Sequence, residues 1–112
     1  MITNSFDNQT DAIIEPRRKA GAPSVDAMII TFSYIIEEYI KEHFNYTQIA
    51  TLYSATGLTP VYQIDHRGKK IGFYKTYIGA PCAVGLLEEV LSEVDTNKVI
   101  MFGGAGCLDK DI

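Results

Sequence analysis

Apolar residues along the chain fall into five short runs and two helically spaced stripes. The first run, Ala27-Met28-Ile29-Ile30-Thr31, is apolar at successive positions. A strand here must be covered on both faces, as in the middle of a sheet. Ser33 then stands where a helix N-cap belongs. Tyr34, Ile35, Ile36, Tyr39, Ile40 and Phe44 follow at helical spacing, with Glu37, Glu38, Lys41 and Glu42 mostly on the opposite side. The pattern predicts an amphipathic helix packed on a sheet and ending near Asn45. Three strands come next, at residues 48–53, 61–65 and 70–78, with Gly57 and Pro60 separating the first two. Asp65-His66-Arg67-Gly68 reads as a hairpin turn, since glycine supplies the positive φ such turns require. Ile71, Phe73, Lys75 and Tyr77 would share one face of the third strand.

A second helix is predicted over residues 82–94, introduced by Gly79-Ala80-Pro81. Proline in a first helical turn removes an N–H that has no partner there, and its φ already suits the helix. Val84, Leu87, Val90, Leu91 and Val94 would form the buried stripe, leaving Glu88, Glu89 and Glu93 in water. Asp95-Thr96-Asn97 turns into a final buried-looking strand, residues 99–102. A strand, helix and strand in succession favour a parallel pair with a right-handed crossover. The expected fold is therefore α/β, a mixed sheet with flanking helices in the order β-α-β-β-β-α-β. It divides into an irregular lead-in (1–25) and an α/β domain (26–112). The lead-in holds one apolar patch, Ala12-Ile13-Ile14, closed by Pro16. Its Arg17-Arg18-Lys19 triplet reads as a solvated basic turn.

Composition narrows the function classes. The 112 residues are 46% hydrophobic and carry a net charge of −4, enough for one real core and the wrong sign for a nucleic-acid-binding stripe. No apolar run approaches the ~20 residues that span a bilayer, and the polar N-terminus lacks the basic start and apolar core of a signal peptide. Two cysteines do not make a disulfide framework. The expectation is a cytoplasmic protein with two free thiols, with neither nucleic acid nor membrane as partner. His43 and His66 are isolated and no third ligand stands at metal spacing, so neither a metal nor a cofactor is expected. Cys82, in the first turn of a predicted helix, has no histidine near it in sequence and reads as a buried structural thiol. The Glu37-Glu38 and Glu88-Glu89 pairs read as solvated faces, and the tyrosines as packing.

The segment after the last strand, Gly103-Gly104-Ala105-Gly106, is the main chemical candidate. In open α/β sheets ligands bind beyond the carboxyl ends of parallel strands, where missing side chains let a ligand approach the backbone. The segment is not a dinucleotide fingerprint, because position 109 is Asp109 and not glycine, and it lacks the Lys-Ser/Thr ending of a P-loop. A ligand role and a plain tight turn both fit the spacing.

Ile78-Gly79-Ala80-Pro81, Leu86-Leu87-Glu88-Glu89, and the run from Val99-Ile100-Met101-Phe102 through Gly103-Gly104-Ala105-Gly106-Cys107-Leu108 together resemble the nucleoside phosphorylase superfamily. That superfamily holds purine nucleoside and uridine phosphorylases and related nucleosidases. The resemblance extends over roughly residues 27–112 and implies the N-terminal half of such a fold. It implies cleavage of the N-glycosidic bond of nucleosides, with nucleoside and phosphate as partners. Half of such a domain leaves sheet and helix faces uncovered, so a homo-oligomer is expected. The resemblance places Gly104 near ribose and phosphate and Ala105 and Gly106 beside the base. The ribose-binding Met-Glu segment and the acid that helps the base depart belong to the other half, so the chain alone is expected to be inactive.

Departures from the family pattern bear on the reaction. The usual Gly-Asp-Pro turn is Thr31-Phe32-Ser33 here, the arginine many members carry before the glycines is Met101, and a common Thr or Ser is Gly104. Residues 48–60 contain no arginine. Phosphorolysis, hydrolysis by water, and a non-catalytic nucleoside-binding or self-associating module all stay open. For the last, the edge at residues 99–102 is the expected contact.

Overall fold

The computed structural model describes residues 9–11 and 17–111; the apolar patch at 12–14 lies outside them. The elements are β1 (Ala27–Thr31), α1 (Tyr34–His43), β2 (Tyr46–Ser54), β3 (Gly57–His66), β4 (Lys69–Lys75), α2 (Ala80–Glu93) and β5 (Val99–Phe102). They form an α/β fold with one mixed five-stranded sheet, ordered β2-β3-β4-β1-β5. β2, β3 and β4 run as an antiparallel meander. β4, β1 and β5 are mutually parallel. The crossover through α2 thus joins two parallel strands, but β1 lies between them.

Alternation along the strands builds a core on each face of the sheet. Met28, Ile30, Val61 and Tyr74 pack with Leu86 and Val90 of α2 and with Val94, its C-cap. Phe73, Tyr62 and Ile64 face the other way, against Ile40 and Phe44 of α1 and its C-cap. Successive residues such as Phe73 and Tyr74 therefore serve different helices, which is why β1 and β4 read as continuous apolar runs.

Several expectations need correction. Tyr34, Ile35 and Tyr39 are exposed, whereas Glu37 is buried. Glu37 accepts a 2.7 Å hydrogen bond from Lys41 Nζ, and that ammonium lies 4.5 Å from the centroid of the Tyr62 ring. Burial is the largest single influence on Lys41 and would lower its pKa, but the hydrogen bond to Glu37, the interaction with Tyr62 and the charge of Glu37 together outweigh it and the net direction is up. A paired ion with a long aliphatic stem can occupy a face that an isolated carboxylate could not. On α2 the buried stripe is Ala83, Leu86 and Val90, and Val84 is exposed.

Pro60 lies inside β3 and not at a break, opposite Thr51 of β2. β4 joins β3 only from Tyr62 onward, so one side of β3 is open at Pro60 and a missing N–H is tolerated there. The β3–β4 turn is tighter than expected. Asp65 and His66 pair with Lys70 and Lys69, leaving a two-residue loop of Arg67 (φ 49°) and Gly68 (φ 75°), the type I′ geometry. β4 ends at Lys75, so Tyr77 is not part of the strand. The basic triplet is not simply solvated: Arg18 pairs with Asp95 at 2.6 Å and Lys19 with Glu93, fastening the lead-in to the end of α2. β5 is not buried at all, since each of its four residues is exposed. Among the described residues no helix is long and apolar enough to cross a membrane.

Candidate functional site

Three parallel strands bring their carboxyl ends to one edge of the sheet. In register, Thr31 of β1 lies between Lys75 of β4 and Phe102 of β5. Beyond each end the chain leaves differently. After β1, Phe32-Ser33 turns into α1, and the Ser33 N–H donates to Thr31 Oγ1 at 3.1 Å. Ser33 occupies the N-cap position, yet its hydroxyl caps no backbone N–H. After β4, Thr76 N–H donates to the Thr31 carbonyl at 2.8 Å, locking the two strand ends together. The Thr76 hydroxyl is buried and has no hydrogen-bond partner among the described residues. After β5 come the glycines.

Gly103, Gly104, Ala105 and Gly106 are all exposed. None of the three glycines holds a positive φ, so the backbone path does not itself require glycine there. A side chain at Gly103 would place its Cβ 3.0 Å from Phe32 Cδ2, while Gly104 and Gly106 face open space. Phe32 therefore leans on the Gly103 backbone and fills the position between the ends of β1 and β5. The site thus contains two hydroxyl residues (Ser33 and Thr76), an aromatic ring and an open stretch of backbone. Two of the three arginines lie away from it: Arg18 is held at Asp95 and Arg67 sits in the β3–β4 turn at the opposite end of β4.

Two recesses flank Tyr77, just past β4. One, of 130 Å³, is lined by Glu37, Leu58, Thr59, Pro60, Lys75 and Tyr77. The other, of 340 Å³, is lined by Ser54, Thr56, Tyr77, Cys82, Leu86 and Glu89, and only this one reaches the ~300 Å³ at which small-molecule pockets begin. Hydrogen bonds with Thr56 and then Thr59 lower the pKa of the Tyr77 phenol. Cys82 is exposed, contrary to the expected buried thiol, and Cys107 donates from Sγ to the Asp109 carbonyl at 2.7 Å. The glycines line neither recess. Sequence reasoning missed Thr76, whose place beside the quoted Ile78-Gly79-Ala80-Pro81 turn was the available signal. It also missed Tyr77 and Glu89, whose convergence with the β2–β3 hairpin depends on tertiary packing.

His43 accepts or donates at Nδ1 with the Tyr39 carbonyl at 2.8 Å and stacks on the Tyr39 ring. His66 meets Phe44 edge-on. Among the described residues no three His, Cys, Asp or Glu side chains converge as metal ligands would.

No protein-family model matches the chain. A purine nucleoside phosphorylase of the DeoD type from Oceanobacillus iheyensis is 25% identical over 79 residues, which cover 70% of this chain and 31% of that protein. The chain thus spans about a third of the length of that curated relative. The similarity is distant and partial, and it supports a likeness to nucleoside phosphorylases at the level of the superfamily.

Proposed function

We propose that this chain forms the nucleoside-facing edge of a nucleoside phosphorylase-like α/β domain, corresponding to the N-terminal half of that fold. The observation that carries this reading is the segment Gly103, Gly104, Ala105, Gly106. It opens at the carboxyl end of a parallel strand, and although Phe32 limits the room at Gly103, Gly104 and Gly106 have neither a positive φ nor a neighbour to explain why their side chains are missing. Glycines that the turn does not require are best accounted for by a ligand approaching the backbone. The distant similarity to a purine nucleoside phosphorylase supports the nucleoside class.

By itself the chain binds nucleoside without turning it over by phosphorolysis. Phosphorolysis needs cationic groups around an anionic nucleophile; Lys75 stands at the edge, but Arg18 is engaged by Asp95 and Arg67 lies at the other end of β4. Phe32 stands between the ends of β1 and β5, against Gly103. A two-dimensional NMR titration with adenosine, inosine and uridine, each with and without phosphate, tests this reading. Shifts concentrated at Gly103, Gly104, Gly106, Thr76 and Ser33, unchanged by phosphate, are expected. Gly104→Val, whose side chain would enter open space without touching the fold, should abolish them. Dispersed spectra without shifts at any of these residues would refute nucleoside binding. Release of free base that depends on phosphate would refute the non-phosphorolytic part.

A further inference from the structure

The larger recess beside Tyr77 is formed where three elements diverge. β3 joins β4 only from Tyr62 onward, and β4 ends at Lys75. The tip of the β2–β3 hairpin therefore extends past the β3–β4 pairing, while the chain after β4 turns through Tyr77 into α2. Cys82, Leu86 and Glu89 of α2 fall at i, i+4 and i+7, a single stripe of the helix. That stripe meets Ser54 and Thr56 of the hairpin, and Tyr77, around a volume of 340 Å³. The walls are mostly apolar, supplied by the buried Leu86 and the Tyr77 ring.

The polar groups around this recess are accounted for with one exception. The Ser54 hydroxyl donates to the Gly57 carbonyl at 3.2 Å and lies 2.8 Å from Thr56 Oγ1, so both hydroxyls are held within their own turn. The Tyr77 phenol is engaged by Thr56 and Thr59. Glu89 is different. Among the described residues it takes part in no ion pair, and its carboxylate is the one charge in the lining. Lys75, whose Nζ is 5.9 Å from the centroid of the Tyr77 ring, lines the smaller recess instead. An apolar recess with one carboxylate and no cation complements an apolar cation and disfavours an anion, which would meet Glu89 without a counter-charge. Tyr77 adds a ring that pairs best with another ring.

We propose that this recess binds a small aromatic amine, its ring against Leu86 and Tyr77 and its ammonium on Glu89. The proposal does not rest on nucleoside binding, since the glycines line neither recess. A ligand of this size binds with a dissociation constant of millimolar order. An exposed carboxylate adds only a few-fold to that affinity, and the apolar walls supply the remainder.

Cys82 is exposed and lines the recess, so its alkylation by iodoacetamide reports occupancy. In a Cys107→Ser background, phenethylamine should slow this alkylation in a saturable way. Phenylacetate, of similar shape and opposite charge, should not, and neither should methylamine, which has the charge without the ring. Glu89→Gln, at an exposed position of α2, should leave the circular dichroism spectrum unchanged. It should weaken protection by phenethylamine at least about threefold, each rate being taken relative to the same variant without ligand. Nuclear magnetic resonance shifts induced by phenethylamine should fall on Leu86, Tyr77 and Glu89 and leave Gly103, Gly104 and Gly106 in place. Absence of protection up to about 50 mM phenethylamine would overturn the proposal. Equal protection by phenylacetate, or affinity unchanged in Glu89→Gln, would overturn the role of the carboxylate. Stronger protection of Cys82 by adenosine than by phenethylamine would give the recess to nucleosides and overturn the amine assignment.

Discussion

Gly72 is the position where the sheet has least room, and replacing it with alanine tests how the β1–β4 pair is packed. Gly72 lies opposite Met28 in the parallel register, and those two strands carry Thr31 and Thr76 to the candidate site. A Cβ added at Gly72 would lie 2.7 Å from Met28 Cε, 2.9 Å from Met28 Sδ and 3.2 Å from Val25 Cγ2. Ordinary carbon contacts are ~3.5–4.0 Å, so the thioether end must move by close to an ångström. Methionine is adaptable, but Met28 is fully buried in a cluster with Tyr74, Leu86 and Val90 and has little space to enter. Overpacking of this kind costs about 1–3 kcal/mol. Against it stands the reduced entropy of the unfolded chain when glycine becomes alanine, ~0.4–1 kcal/mol. The net expectation for Gly72→Ala is a loss of roughly 1–2 kcal/mol. Met28→Ala alone should cost about 2–5 kcal/mol as a large-to-small core substitution. In the double variant the new methyl enters the space that Met28 vacates, so the combined loss should fall short of the sum by at least ~1 kcal/mol. Urea unfolding followed by far-ultraviolet circular dichroism measures all four corners of this cycle. Gly72→Ala at or above wild-type stability, or additivity within ~0.5 kcal/mol, would refute the proposed collision.

Two further predictions concern groups whose ionisation the fold perturbs. The Tyr74 hydroxyl is buried without a hydrogen-bond partner among the described residues, and burial pushes its pKa up. Tyr74→Phe should therefore leave stability unchanged or raise it by up to ~1–3 kcal/mol; a loss beyond ~1 kcal/mol in urea unfolding would mean that the hydroxyl has a partner after all. Because the folded value lies above the unfolded ~10, Tyr74 contributes a stability loss as pH rises past 10, and Tyr74→Phe should reduce that alkaline loss. Asp26 behaves in the opposite sense. The Lys70 N–H, donating to Oδ2 at 2.8 Å, lowers its pKa against the opposing effect of desolvation, with Lys69 adding to the lowering. Its stabilising effect is full above the unfolded value of ~3.9 and disappears as pH falls through the folded one. Asp26→Asn should flatten the acid side of the stability profile, and thermal melts between pH 2 and 6 that remain superimposable would contradict this.

The order of elements, the hairpin at Gly68 and the bounds of β1 and β5 were legible in the chain, because turn residues and short apolar runs act locally. The position of the glycines at the end of a parallel strand was legible for the same reason. The parallel crossover followed from the strand-helix-strand order, although the insertion of β1 between β4 and β5 did not. What periodicity leaves undecided is the direction a helix faces when apolar residues surround it. In α1, Tyr34, Ile35 and Tyr39 offer one apolar face and Ile36, Ile40 and Phe44 another. The second is the one turned to the sheet, half-buried, because Glu37 and Lys41 neutralise each other on Tyr62, a residue more than twenty positions away. The burial of β5 was misjudged for a related reason. Apolar composition records that a strand suits a covered position, but whether neighbours cover it depends on where the helices lie, and here both lie elsewhere on the sheet. Pro60 within β3, the exposure of Cys82 and the recess beside Tyr77 likewise depend on which strand or hairpin stands alongside. Local patterning therefore determined the elements and their order, while long-range contacts decided which faces are buried and which side chains meet at the site.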